Sequence, residues 1–159
     1  MVKVNIDRNC MGNPGPVGFG GVAWDDQGNW LEGFTGFIGK ATILKVELWA
    51  VREAMMLIKN KKWMYAIVEV DSTNVMDLLN GEDYEDHSLK VLTEDCKCIM
   101  ADLKLWVNHT LCEGNKCVDA MAKIWVNQMK KLEVFHHVPS VVKGMLEADA
   151  MGVNFPRGF

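Results

Sequence analysis

The chain has no apolar run near the ~20 residues that a bilayer-spanning helix needs. It also lacks the apolar core of a signal peptide, because Met1-Val2-Lys3-Val4-Asn5 reads straight into a strand. These two absences lead to the expectation of an intracellular protein, nuclear or cytoplasmic, with no membrane partner. Excess positive charge is missing as well: 17 Lys and Arg against 21 Asp and Glu leave a net charge of −4. That argues against a strongly basic, sequence-indifferent nucleic-acid binder, while leaving room for a local basic patch or for metal ions that screen phosphates. No disulfide framework is legible either. Cys10, Cys96, Cys98, Cys112 and Cys117 make an odd number without secretory context, which fits a reduced compartment. There is no internal repeat and no low-complexity segment.

What is present is a globular composition. The 159 residues suggest one domain, and 49% of them are apolar, enough for a substantial core. The 11 methionines indicate adaptable packing in that core. Residues 2–7 alternate as a strand does. Gly12-Asn13-Pro14-Gly15-Pro16 forms a rigid turn, and Gly20 to Trp24 resumes a strand. A hairpin signal at Asp25 to Asn29 leads into a third strand from Trp30 to Ile38. The period then changes: Leu44, Leu48, Val51, Met55 and Ile58 recur at helical spacing, ending in the basic stretch Lys59 to Lys62. Tyr65 to Val70 is a fourth strand. Ser72 caps a short helix ending near Asn80-Gly81, and Ser88 to Ala101 form another. Leu103 to His109 is a fifth strand, and a last helix runs from Asn115 to about Lys131. The expected fold is α/β: a five-stranded mixed sheet, three antiparallel strands then parallel additions, flanked by helices. The expected domain covers 1–131, with a tail over 132–159.

Four acids stand where such a fold aims side chains at one point. Asp7 and Asp71 each end an apolar strand, Glu47 lies inside the first long helix, and Asp119 lies near the start of the last. Carboxylates at adjacent strand ends, met by carboxylates from flanking helices, are what a hard dication such as Mg²⁺ requires. Without a metal such a cluster repels itself. The plain alternative is four unrelated exposed or capping carboxylates, and taken singly each residue is adequately explained that way.

Four segments, in order, resemble ribonuclease H, in particular the RNase H-like domains of plant genomes linked to retroelements. They are Asp7 with Gly12 to Pro16; Val46-Glu47-Leu48-Trp49-Ala50; Val68-Glu69-Val70-Asp71-Ser72; and His109, then Glu113-Gly114-Asn115 and Asp119-Ala120-Met121-Ala122-Lys123. The resemblance implies an RNase H-like fold, with Asp7, Glu47, Asp71 and Asp119 as metal ligands for Mg²⁺, or Mn²⁺ in its place. It implies hydrolysis of the RNA strand of RNA–DNA hybrids by a two-metal mechanism, with ions about 4 Å apart. His109 matches the family's mobile loop histidine, which assists proton transfer or product release. Arg8, Gly12, Asn13, Thr42 and Asn115 are the candidate substrate contacts, although Asn13 and Asn115 serve more readily as turn and cap than as readers of bases.

The chain also departs from that family. Arg8 stands where a small residue is usual, and it could pair with Asp7 or contact a phosphate. Ile43 and Leu44 replace polar amides that read the minor groove, where 2′-hydroxyls distinguish RNA from DNA. A basic, Trp-bearing protrusion is absent, its place taken by the acidic Glu82 to Asp86. These features support a second reading, a domesticated RNase H-like module that binds nucleic acid or protein with weak or no turnover. A monomer is expected. The cysteine spacing is not a standard zinc pattern, since Cys96 and Cys98 fall on opposite sides of a helix. Trp49, Trp63, Trp106 and Trp125 read as core or groove packing, not as a base-stacking platform.

Overall fold

The computed structural model describes residues 1–10, 16–81, 87–110, 116–124 and 131–144. Its elements are β1 (Val2–Cys10), β2 (Pro16–Trp24), β3 (Trp30–Lys40), α1 (Ile43–Lys61), β4 (Ala66–Val70), α2 (Thr73–Leu79), α3 (His87–Leu103), β5 (Trp106–His109), α4 (Lys116–Ile124) and β6 (Leu132–Phe135). The sheet order is β5-β4-β1-β2-β3-β6. β1, β2 and β3 form the expected antiparallel meander, and β4 then β5 add in parallel on the other side of β1.

Three expectations need correction. The sheet has six strands, not five, because β6 pairs antiparallel with β3, Phe135 opposite Gly33 through Leu132 opposite Gly36. The chain after residue 131 is therefore not all tail: β6 extends the sheet and Val142 is fully buried. β6 is a short edge strand whose Leu132 and Val134 are exposed, so its apolar pattern is weak. The start of β5 also moves, from Leu103 to Trp106, because α3 runs on to Leu103 and closes with Lys104 in the left-handed region at φ 53°. Among the described residues no helix is long and apolar enough to cross a membrane.

The two faces of the sheet bury different partners, as the period-two alternation of a strand dictates. Val4 and Ile6 of β1, with Val17, Phe19 and Ala23 of β2, join the larger core beneath α1, α2 and α3. Val22 and Trp24 of β2 face the other way and pack with Cys117, Val118 and Met121 of α4. Gly20 belongs to this second face and sets how closely α4 approaches. A Cβ there would lie 2.5 Å from Ala122 N and 2.6 Å from Met121 C, so only glycine lets the helix backbone rest on the strand. α1 starts where Thr42 Oγ1 accepts from Lys45 N at 3.2 Å, and α2 where Ser72 Oγ accepts from Val75 N at 3.3 Å.

Candidate active site

Asp7 pairs across the β1–β2 ladder with Gly20, the residue against which α4 rests. Asp71 directly follows β4, the parallel neighbour of β1, and Glu47 comes from the first turns of α1. The three line one small cleft together with Arg8, Ser72, Ala50 and Val75. Topology alone thus brings residues 64 positions apart to one cleft: β1 carries Asp7, Asp71 directly follows the neighbouring β4, and α1 delivers Glu47. Asp119 lies on the first turn of α4, close enough to act on Asp7 electrostatically.

Charge in the cleft is unevenly compensated. Burial is the main cause that pushes the Asp7 carboxyl up to about 6. The Arg8 backbone N–H, which donates to Asp7 Oδ1 at 2.8 Å, works against that shift, while the negative charges of Asp71 and Asp119 add to it. Glu47 is held by Arg8, whose Nε donates to Oε1 at 2.7 Å. Its Oε2 is buried without a hydrogen-bond partner. Asp119 accepts from Lys123 Nζ at 3.0 Å, an i,i+4 pair on α4. Among the described residues, no three His, Cys, Asp or Glu side chains converge closely enough to hold a metal ion. The Arg8 and Lys123 cations hold two of the four acids.

The other sequence-derived candidates sort as follows. Arg8 reaches the cleft, where its guanidinium meets Glu47 through Nε and its charge also acts to lower Asp7. Thr42 spends its hydroxyl on the cap of α1. His109 ends β5 opposite Val70, and its ring Nε2 is 3.2 Å from the Asp71 carbonyl oxygen. A carbonyl only accepts, so Nε2 carries the hydrogen of that bond and a neutral ring leaves Nδ1 as acceptor. Gly12, Asn13 and Asn115 lie outside the described residues. Ile43, in the place of a polar amide, is exposed. Cys96 is buried beneath α1, where burial pushes its thiol up to about 12, and Cys98 is exposed, so the two do face apart.

Sequence reasoning missed the brace behind the cleft. Glu69 Oε2 accepts from Asn5 Nδ2 at 3.1 Å and from Thr110 Oγ1 at 3.0 Å, while Lys3 Nζ sits 3.2 Å from Oε1. With Thr110 N donating to Val70 O at 2.8 Å, this brace fixes the chain beside His109 to the end of β4. The alternation of Glu69 between two apolar strand residues was the available signal. Nothing local revealed its partners, which are up to 66 residues away.

Comparison with known proteins sharpens this picture. The profile of the reverse transcriptase-like family matches residues 5–143. An Arabidopsis thaliana protein provisionally named a ribonuclease H protein is 31% identical over 157 residues, 98% of this chain. The chain belongs to the RNase H family. It spans a quarter of the length of that Arabidopsis relative. LC11-RNase H1, isolated from compost and solved with an RNA/DNA hybrid, is 25% identical with a TM-score of 0.68, over 76% of this chain and 93% of that one. RNase H1 of the archaeon Halobacterium salinarum shares the fold at a TM-score of 0.68 and 24% identity, over 76% of this chain and 92% of its own. The RNase H fold expected from the four acidic segments is therefore the fold observed, enlarged by β6.

Proposed function

We propose that the chain is a Mg²⁺-dependent endoribonuclease that hydrolyses the RNA strand of RNA–DNA hybrids, of plant retroelement type. The observation that carries this reading is the shared cleft of Asp7, Glu47 and Asp71, in a chain of the RNase H family. The donor set suits a hard dication, being all carboxylate oxygen. Glu47 Oε2 is buried without a partner, and Asp7 sits among negative neighbours that raise it; bound positive charge relieves both strains. Asp7, Glu47, Asp71 and Asp119 are the residues that would hold the ions.

When bound, the dications supply an activated water on one side of the scissile phosphate and a stabilised leaving oxygen on the other. The protein's own residues then divide the remaining work. Arg8 releases Glu47 Oε1 and turns its guanidinium to a phosphate oxygen. Lys123 gives up Asp119 in the same way. His109, anchored through Nε2, offers Nδ1 to take or return a proton at the edge of the cleft. The backbone around Gly12 and Asn13, with Asn115, is the further candidate surface for the sugar-phosphate strand.

A second reading rests on one specific observation. The Arg8–Glu47 ion pair supplies a built-in cation where a metal would sit. If that pair persists when hybrid is bound, the chain is a binding module with little turnover. A hybrid-cleavage assay with Mg²⁺ or Mn²⁺ decides between them. Wild type is expected to cleave and Asp71→Asn to lose at least about 100-fold, on the scale of removing transition-state charge stabilisation. Arg8→Gln is expected to lower the Mg²⁺ concentration needed. No cleavage by wild type or by Arg8→Gln, at high protein concentration, leaves only the binding module.

A further inference from the structure

At the opposite end of the sheet from the cleft lies a groove of about 800 Å³. Its floor is Ile58, Ala66, Ile67 and Leu103, where the end of α1, the start of β4 and the end of α3 meet. Trp63, Tyr65 and Trp106 line it, and Lys59, Lys62 and Lys104 bring positive charge against the single carboxylate of Asp102. Tyr65 is 79% exposed and Trp106 71% exposed. A surface tryptophan is ordinary when isolated, but exposed aromatics gathered in one groove with three lysines are not. None of the three lysines makes a salt bridge among the described residues.

The backbone of the groove is unusual too. The described residues contain three non-glycine positions with positive φ, Lys62 at 56°, Tyr65 at 56° and Lys104 at 53°, and all three line this groove. Lys62 and Lys104 close α1 and α3 in the same manner. Lys62 N donates to Lys59 O and Trp63 N to Ile58 O; Lys104 N donates to Ala101 O and Leu105 N to Met100 O. This is the helix ending that glycine ordinarily makes. A lysine in either place carries left-handed strain yet sets an ammonium at the groove.

The geometry points to a second nucleic-acid site here, one that takes single-stranded DNA or RNA by base stacking on Tyr65 and Trp106 and phosphate contact with Lys59, Lys62 and Lys104. A single strand offers a negative charge at every nucleotide and a flat face at every base, so it meets both halves of this surface at once. An acidic peptide would satisfy the lysines but would have no general need of exposed aromatic faces. The site is independent of the hydrolytic reading. β4 separates the two, and from Ala66 in the groove to Asp71 in the cleft is about 17 Å at the rise of a strand.

The test is fluorescence anisotropy of a labelled 12-nucleotide oligothymidylate, titrated with the full chain in EDTA so that cleavage is suppressed. Binding that weakens from 50 to 200 mM salt is expected. Tyr65→Ala/Trp106→Ala should bind at least about 10-fold more weakly, in line with the loss of two stacking faces. Both side chains are exposed, so the variant's melting curve should match wild type. Should that variant fold poorly, Lys59→Gln/Lys104→Gln decides: its slope of log affinity against log salt should be shallower by about 1.4, at ~0.7 per lysine removed. Wild-type affinity in the variants overturns the proposal by placing the strand elsewhere. So does an absence of oligonucleotide binding, with or without capture of an acidic peptide.

Discussion

The two ends of the sheet solve opposite electrostatic problems. At the carboxyl end of β1 and β4, acids gather and borrowed cations hold them: Arg8 on Glu47 and Lys123 on Asp119. At the amino end, three lysines face the single carboxylate of Asp102, beside exposed aromatic side chains. The first end is crowded and partly desolvated, as the upward shift of Asp7 records. The second is open. One chain of net charge −4 therefore carries an acidic cleft and a basic groove on the same strand, and its overall charge predicts neither.

The sharpest way to break this contrast is to disturb only the acidic end. Gly20→Ala puts a methyl group against the backbone of α4, where no side chain can swing aside. Overpacking against rigid backbone should cost about 3 kcal/mol or more. For a chain of this size that lowers Tm by roughly 6–12 °C. Because α4 carries Asp119, cleavage should fall with stability, while oligonucleotide binding at the far groove holds below the new Tm. A Gly20→Ala protein that melts like wild type would show that α4 is not seated by this contact.

The contrast also explains what could be read in advance. Asp71 and Glu47 could be placed because a strand end and a helix period are local signals; Asp7 does not end its strand, since β1 runs on to Cys10, but parallel packing of β1 beside β4 still brings Asp7 and Asp71 together. The cap at Ser72 follows from the same local chemistry, whereas Thr42, expected as a substrate contact, caps α1. β6 was missed because an edge strand needs no strong apolar alternation when β3 supplies half its hydrogen bonds. Arg8 was expected to pair with Asp7 or contact a phosphate; its ion pair with Glu47 is decided only by the crossing of α1 under β1. Trp106 was read as core or groove packing, and of the two it is the groove that it lines. It is 71% exposed on the edge strand β5, a tertiary fact that no periodicity encodes.

A moderate effect is expected at Glu32, a buried acid at the amino end of the sheet. Its Oε1 takes both Lys61 and His136, tying β3 to the end of α1 and to the chain after β6. Burial works against its ionised form, and the hydrogen bonds from Lys61 and His136 outweigh that, so its pKa lies below the ordinary 4.5. A carboxylate depressed on folding adds stability that is complete above the unfolded value and drains as pH falls through the folded one. Glu32→Gln should cost about 1.5 kcal/mol at pH 7, near 5 °C in Tm. The gap between the two melting curves should close as pH drops below about 4.5. A gap that stays constant down to pH 3 would rule out the carboxylate as its source.

The smallest expected change is the most informative about the groove. Lys104→Gly removes left-handed strain worth about 1–2 kcal/mol. Against this stand the added freedom of the unfolded glycine, about 0.4–1 kcal/mol, and the lost attraction of an ammonium for the helix end, about 0.3–1 kcal/mol. The terms nearly cancel, so Tm should move by no more than about 2 °C. Stability is thus indifferent between lysine and glycine at this position, and a ligand is what can tell them apart. Oligonucleotide affinity should fall a few-fold at low salt, and the difference should vanish at high salt as screening removes the contribution of one ammonium. If Lys104→Gly instead lowers Tm by several degrees and leaves affinity alone, Lys104 serves the end of α3, and the basic character of the groove is a by-product of helix capping.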